Sequence, residues 1–169
     1  MLTLLIKGQN NVYDIRMKDD YDLSQAGLLL NDKSVQSILG TKQDWSEASL
    51  TVYAALAHDS MRDATQYVID TLEGDVPVLF YSGDKDMICN WRGGEAVLEH
   101  MKWEGQVEFN SLDYTPWNAT VDGKSVQAGE IKTVKNLSWI RYYEAGHLVP
   151  MDQPESSLDM LSQFIAGQI

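Results

Sequence analysis

The sequence predicts an α/β fold with a mostly parallel sheet, on three observations. Residues 76–90 hold an unbroken apolar run, Val78-Leu79-Phe80-Tyr81, ended by Gly83 and followed by an acidic loop with Asp84 and Asp86. An apolar run that does not alternate is the pattern of a strand covered on both faces. Residues 137–147 repeat the grammar, with Leu137, Trp139, Ile140 and Tyr142 in a strand and His147 in the loop after it. Between them residues 93–103 form a helical pattern with Ala96, Val97 and Met101 inward, which completes a strand-loop-helix unit.

In chain order, residues 1–7 carry a few apolar side chains with no basic region before them, which is not the form of a signal peptide. Residues 23–40 suggest two short amphipathic helices through Leu28, Leu29, Val35, Ile38 and Leu39, with Asp32 as N-cap and Gly40 as C-terminal stop. Residues 46–56 and 59–72 are again helical in pattern, and Met61, Ala64, Tyr67, Val68 and Leu72 trace one face. Gly74 breaks this helix before the strand. Residues 1–75 therefore read as a helical lead-in and 76–169 as the sheet part. Residues 106–134 are β-prone pieces with turn signals at Asp122-Gly123 and Ala128-Gly129, an antiparallel excursion that reads as an insertion. Pro154 opens a terminal helix whose Leu158, Leu161, Phe164 and Ile165 are expected to pack on the sheet.

The 169 residues suffice for one domain that buries about 70% of its unfolded surface. A central parallel strand needs neighbours on both sides, and no comparable apolar run precedes residue 76, so the sheet is expected to lack strands. Composition is that of a globular protein, 44% hydrophobic and 9% aromatic, with no apolar span of membrane length. A net charge of −12 repels phosphate backbones and anionic lipid, which argues against nucleic-acid and membrane partners. Cys89 is the one cysteine, so no internal disulfide can form.

A carboxylate after one strand and an imidazole after a later one, 61 residues on, follow the Ser…Asp…His order of α/β-hydrolases. The bland readings are a turn-forming Asp86 and a structural His147. His58 and His100 fall in helical patterns among polar residues and read as surface. Asp84 reads as a brace for the loop through backbone N–H groups, and Cys89 as a core thiol. No Gly-x-Ser-x-Gly is present to offer a nucleophile, and neither His-Glu-x-x-His nor a cysteine cluster offers a metal site.

The segments Gly83-Asp-Lys-Asp-Met-Ile-Cys-Asn-Trp91, Gly146-His-Leu-Val-Pro-Met-Asp-Gln-Pro154 and Asn11-Val-Tyr-Asp-Ile-Arg16 resemble the serine carboxypeptidase family. The resemblance implies an α/β-hydrolase fold of which this chain is the C-terminal part. It implies Asp86 as the carboxylate that orients His147, and His147 as general base, acting with a serine supplied by an N-terminal portion of the same hydrolase. By the same resemblance Ile88 and Cys89 wall the pocket for the substrate's penultimate side chain. Tyr13, Tyr21 and Leu148 shape the pocket for the released C-terminal residue of a peptide. No cofactor is implied. Residue 60 is serine where the family carries a tryptophan, and Ala48 stands where a cysteine is expected after Trp45. The family's vacuolar, lysosomal or secreted setting fits the sequons at Asn118 and Asn136 and sits badly with the lost cysteines. Two other readings remain: an inactive pseudo-hydrolase, and an acyltransferase on the same scaffold.

Overall fold

The computed structural model describes residues 11–60 and 62–169, so the reading of residues 1–7 and the place given to Met61 fall outside it. The chain forms two compact units, residues 19–63 and residues 1–18 with 64–169. The helical lead-in is thus divided, and its last helix belongs with the sheet.

The 19–63 unit contains α1 (Ser24–Asn31), α2 (Lys33–Leu39) and α3 (Leu50–Ala55). Asp32 caps α2 by accepting from the N–H groups of Ser34 at 2.8 Å and Val35 at 3.3 Å. Gly40 ends that helix in the left-handed region at φ 70°, as the sequence predicts. The Asn31 side chain clamps the Trp45 backbone through Oδ1 at 2.7 Å and Nδ2 at 3.1 Å. Helix α3 starts only after its cap, Ser49. Leu28, Leu29, Ile38 and Leu39 are exposed.

The other unit begins its helices with α4 (Thr65–Glu73). This helix starts six residues later than expected from position 59, because residues 57–60 are spent in tight turns such as Asp59 N to Leu56 O at 2.9 Å. Ile69 and Leu72 are its buried residues, while Tyr67 is exposed. There follow β1 (Val78–Gly83), α5 (Trp91–His100), α6 (Gln106–Ser111), β2 (Thr115–Val121), β3 (Lys124–Val134), β4 (Leu137–Tyr142), α7 (Val149–Asp152) and α8 (Pro154–Ile165). The four strands form one sheet in the order β1-β4-β3-β2, with β1 and β4 parallel and the other pairs antiparallel.

Period-2 alternation along β4 divides its side chains between two cores. Leu137 and Trp139 join Ile69, Leu98 and Phe109 on the face covered by α4, α5 and α6. Ile140 and Tyr142 join Trp117, Val149 and Met160 on the face covered by α7 and α8. This is the helices-on-both-faces architecture of an α/β protein.

Five expectations need correction. The 106–134 region does hold the expected antiparallel hairpin, β2–β3, which extends the sheet from β4, but its first residues are helix α6 and not a β piece. Asp122-Gly123 is the hairpin turn, with φ of 50° and 70°, whereas Ala128-Gly129 lies inside β3. There Gly129 pairs with Trp117 and Gln127 with Asn118, so Ala128 is the extra residue of a bulge. On α5 the inward residue is Leu98, 1% exposed, and not Val97 at 50%. Gly94 sits so close to Trp139 that a Cβ would stand 2.8 Å from the indole, and this close approach turns the Gly94–Leu98–Met101 face to the sheet.

On α8 the buried residues are Ser156, Ser157 and Met160, while Leu158, Leu161 and Ile165 are exposed. Polar anchoring sets that rotation. Tyr142 Oη donates to Ser156 Oγ at 2.6 Å, Trp117 Nε1 to Gln163 Oε1 at 3.1 Å, and the Thr120 N–H to Asp159 at 2.8 Å. Strand β1 is only half-buried, with Tyr81 exposed. The fully covered strand is β4.

Candidate active site

The parallel pairing of β1 and β4 brings Gly83 opposite Tyr142, so both strands end level and both loops leave from the same rim of the sheet. Asp84 N donates to Tyr142 O at 2.8 Å and Lys85 N to Ala145 O at 2.9 Å, extending the contact into the loops. Carboxyl ends of strands in open α/β sheets are where reacting groups collect.

Asp86 and His147 meet there. Asp86 Oδ2 lies 2.9 Å from His147 Nδ1. The other carboxylate oxygen, Oδ1, accepts from the Cys89 N–H at 3.1 Å. The Asp86 side chain is 4% exposed and that of His147 36%, so the carboxylate is enclosed and the imidazole is reachable. With Nδ1 bound to a carboxylate, the proton-accepting nitrogen of a neutral ring is Nε2. The backbone N–H of His147 donates to Tyr13 O at 2.8 Å, and the Tyr13 ring sits 5.2 Å from the imidazole, tilted by 47°.

Cys89 is exposed, which overturns its reading as a core thiol. Atoms of Asp86, Cys89 and His147 able to bind a cation lie within 4.8 Å of one another; Asp86 Oδ2 is already engaged by the imidazole. Partial desolvation by its neighbours, more than the Asp86 charge, pushes the pKa of this surface thiol up. Asp84 does not act on backbone N–H groups as expected. Its Oδ2 pairs with Lys85 Nζ at 3.2 Å, and its buried Oδ1 has no partner.

The serine carboxypeptidase family profile matches residues 6–167. The chain belongs to that family. A rice protein described as serine carboxypeptidase-like (Oryza sativa subsp. japonica) is 40% identical over 97% of this chain and 38% of its own length. Carboxypeptidase Y of Schizosaccharomyces pombe is 39% identical over 94% of this chain and 16% of its own length. The crystal structure of Kex1(delta)p, a prohormone-processing carboxypeptidase from Saccharomyces cerevisiae, superposes with a TM-score of 0.77 at 24% identity. It covers 98% of this chain and 40% of that one, and shows the shared α/β-hydrolase fold. The chain thus spans about two fifths or less of the length of these relatives.

Of the other residues singled out by this serine carboxypeptidase resemblance, Tyr13 stands against His147. Ile88 is exposed in the Asp86 loop, its N–H donating to Val12 O at 3.1 Å. Leu148 is half-buried and precedes α7. Tyr21 belongs to the 19–63 unit. Asn118 is exposed on β2, and Asn136 is half-buried in the turn between β3 and β4. His58 and His100 are exposed, as expected.

Asp14 and Arg16 belong to the Asn11–Arg16 motif, which by itself assigns them no role. Asp14 is fully buried, and its carboxylate accepts from the backbone N–H of Arg16 at 2.8 Å and from Nε at 2.9 Å. Those hydrogen bonds hold its pKa below the ordinary carboxylate range. The spacing Asp-x-Arg, which lets one carboxylate take both backbone and guanidinium of residue i+2, was the available signal.

Proposed function

We propose that Asp86 and His147 are the carboxylate and general base of a Ser-His-Asp acyl-transfer site, acting in removal of single residues from peptide C-termini. The observation that carries this is the 2.9 Å bond between Asp86 Oδ2 and His147 Nδ1, with Oδ1 tied back to Cys89 N–H. Anchored at both oxygens, the carboxylate fixes the imidazole's tautomer and stabilises the imidazolium that forms when Nε2 takes the serine proton. Oγ attacks the scissile carbonyl, the His147 proton passes to the departing amino group, and an ester to the serine remains. A water then gives its proton to Nε2 and its oxygen to the acyl carbon, the ester bond to Oγ breaks, and Nε2 returns the proton to Oγ, which frees the serine.

The serine, the oxyanion donors and the grip on the substrate's terminal carboxylate are supplied, in this reading, by an N-terminal portion of the same hydrolase. Tyr13, Ile88, Cys89 and Leu148 contribute to the substrate pockets. The test is hydrolysis of blocked dipeptides by a full-length parent. Asp86→Asn is expected to lower kcat by about 10⁴, as when the wrong tautomer is imposed in a serine protease. Unchanged turnover would exclude Asp86 from the triad.

A second reading, an inactive pseudo-hydrolase, is favoured by departures inside the chain, Ser60 where the family carries a tryptophan and Ala48 where a cysteine is expected. A fluorophosphonate probe separates the two. Labelling of a serine in the parent supports the enzyme, and its absence supports the relic.

A further inference from the structure

The ladder between β1 and β4 ends before the residues that meet. Beyond Lys85 and Ala145, a third piece of chain joins the two loops. Val12 O accepts from Met87 N and Ile88 N, each at 3.1 Å, and Ile15 N donates to Lys85 O at 3.0 Å. Tyr13 O accepts from His147 N at 2.8 Å. Arg16 Nη1 donates to Glu144 O at 3.0 Å and reaches Glu144 Oε2 at 3.2 Å. One short segment therefore holds the residues on either side of Asp86, the residue His147 itself and the start of its loop.

We propose that Asp14 and Arg16 are positioning residues, a clasp that sets His147 against Asp86. This rests on reading those two as the site's base and carboxylate. The segment is closed on itself by Asn11 N to Met17 O at 3.1 Å and Met17 N to Asp14 O at 3.0 Å. Asp14, fully buried, is its hub, and it orients Arg16 through Nε at 2.9 Å and Nη2 at 2.5 Å. Arg16 in turn grips Glu144, a non-glycine residue in the left-handed region at φ 52°, three positions before His147. Such a backbone persists only where its surroundings hold it.

The plain alternative is a surface ion pair, worth about 0–1 kcal/mol. That does not describe a carboxylate with no exposure that binds backbone and guanidinium together, or a guanidinium that donates to the carbonyl of a strained residue. Arg16 must be arginine for this purpose, since a lysine ammonium is a point charge without the planar fork.

The test follows the His147 Nδ1 proton by NMR in the full-length parent, well below its unfolding temperature, where exchange reports local opening of the site. In the wild type it is expected far downfield and protected. In Asp14→Asn and Arg16→Gln it should exchange roughly tenfold faster or more, as when a charge-assisted hydrogen bond is lost, while core signals of Trp139 and Phe109 stay in place. Arg16→Lys should restore only part of the protection. Glu95→Gln, which removes the partner of Lys132 elsewhere in the same unit, should leave the proton unchanged. An unaltered Nδ1 proton in folded Arg16→Gln overturns the proposal. If the stronger variants do not fold, Arg16→Lys decides on the same signal, full protection counting against the clasp. Parent activity that survives Asp86→Asn would refute the catalytic reading and leave this outcome intact.

Discussion

Gly83 and Ala145 touch through backbone alone: a methyl group built on Gly83 would stand 2.2 Å from the Ala145 carbonyl oxygen and 2.3 Å from that of Gly146. No rotation of a side chain relieves such a contact, so the two loops must separate. Gly83→Ala is expected to cost several kcal/mol of stability, on the order of other overpacking changes at rigid sites, and to lengthen the Asp86–His147 bond. Urea unfolding measures the first effect and the His147 ring proton the second. Gly40→Ala, whose Cβ meets nothing within 4 Å but whose φ is 70°, should cost only about 1 kcal/mol.

Acid should weaken the fold through Asp14. Its pKa in the folded state lies below the ordinary value because Arg16 hydrogen-bonds the charged form. A depressed carboxyl stabilises above its unfolded pKa of about 3.9, and that contribution is lost as pH falls through the folded value. Arg16 is 38% exposed, so screening reduces the effect. Asp14→Asn is expected to lower stability at neutral pH by on the order of 1–3 kcal/mol and to flatten the fall below about pH 4. Denaturant melts at several pH values test this, and parallel profiles for the two proteins would count against it.

The two halves of the site were legible to different degrees. The pattern alone could bring Asp86 and His147 to one rim, because each follows an apolar run by a few residues and parallel strands put such loops side by side. The choice of these two came from the serine carboxypeptidase resemblance. The caps Asp32 and Gly40 were legible because capping is local. The inward faces of α5 and α8 were not, since Gly94 against Trp139 and the Ser156–Tyr142 bond decide them through tertiary contact. The half-open state of β1 could not be read from Val78 to Tyr81, because an apolar run records what a strand can bury and not what covers it. The clasp escaped because its meaning lies in carbonyls of Val12, Tyr13 and Glu144, which no side-chain pattern reports.

Only one of the two sequons is expected to carry a glycan in the folded protein. Asn136 Nδ2, the atom a sugar would take, donates to Leu72 O at 2.9 Å and Val76 O at 3.0 Å. The hydroxyl-bearing Ser138 of that sequon is 3% exposed. Asn118 and Thr120 are both exposed on β2. In a secreted parent, Asn118→Gln should remove an endoglycosidase-sensitive mass shift, whereas Asn136→Gln should leave the shift and lower the melting temperature. A shift lost with Asn136→Gln would contradict this.

The flank of β1 should govern how the chain behaves by itself. Among the described residues β1 pairs on one side only, with β4. Beside its other flank lies a groove of about 590 Å³, lined by Val78, Leu79 and Tyr81 and by Leu158, Leu161 and Phe164 of α8. Leu158 is 66% exposed and Leu161 49%. Exposing a few hundred Å² of apolar surface costs several kcal/mol at about 25 cal/mol per Å², comparable with the whole stability of a domain, and an open strand edge beside it is a template for association. The 169-residue chain is therefore expected to unfold at low denaturant, to bind a hydrophobic dye, and to self-associate as concentration rises. Leu158→Lys with Leu161→Lys should reduce dye binding and association without loss of helical signal, because neither side chain belongs to the buried face of α8. Adding a separately produced N-terminal portion of the parent should suppress both as well. A sharp, concentration-independent melt with no dye bound would show that this flank is closed by the chain itself.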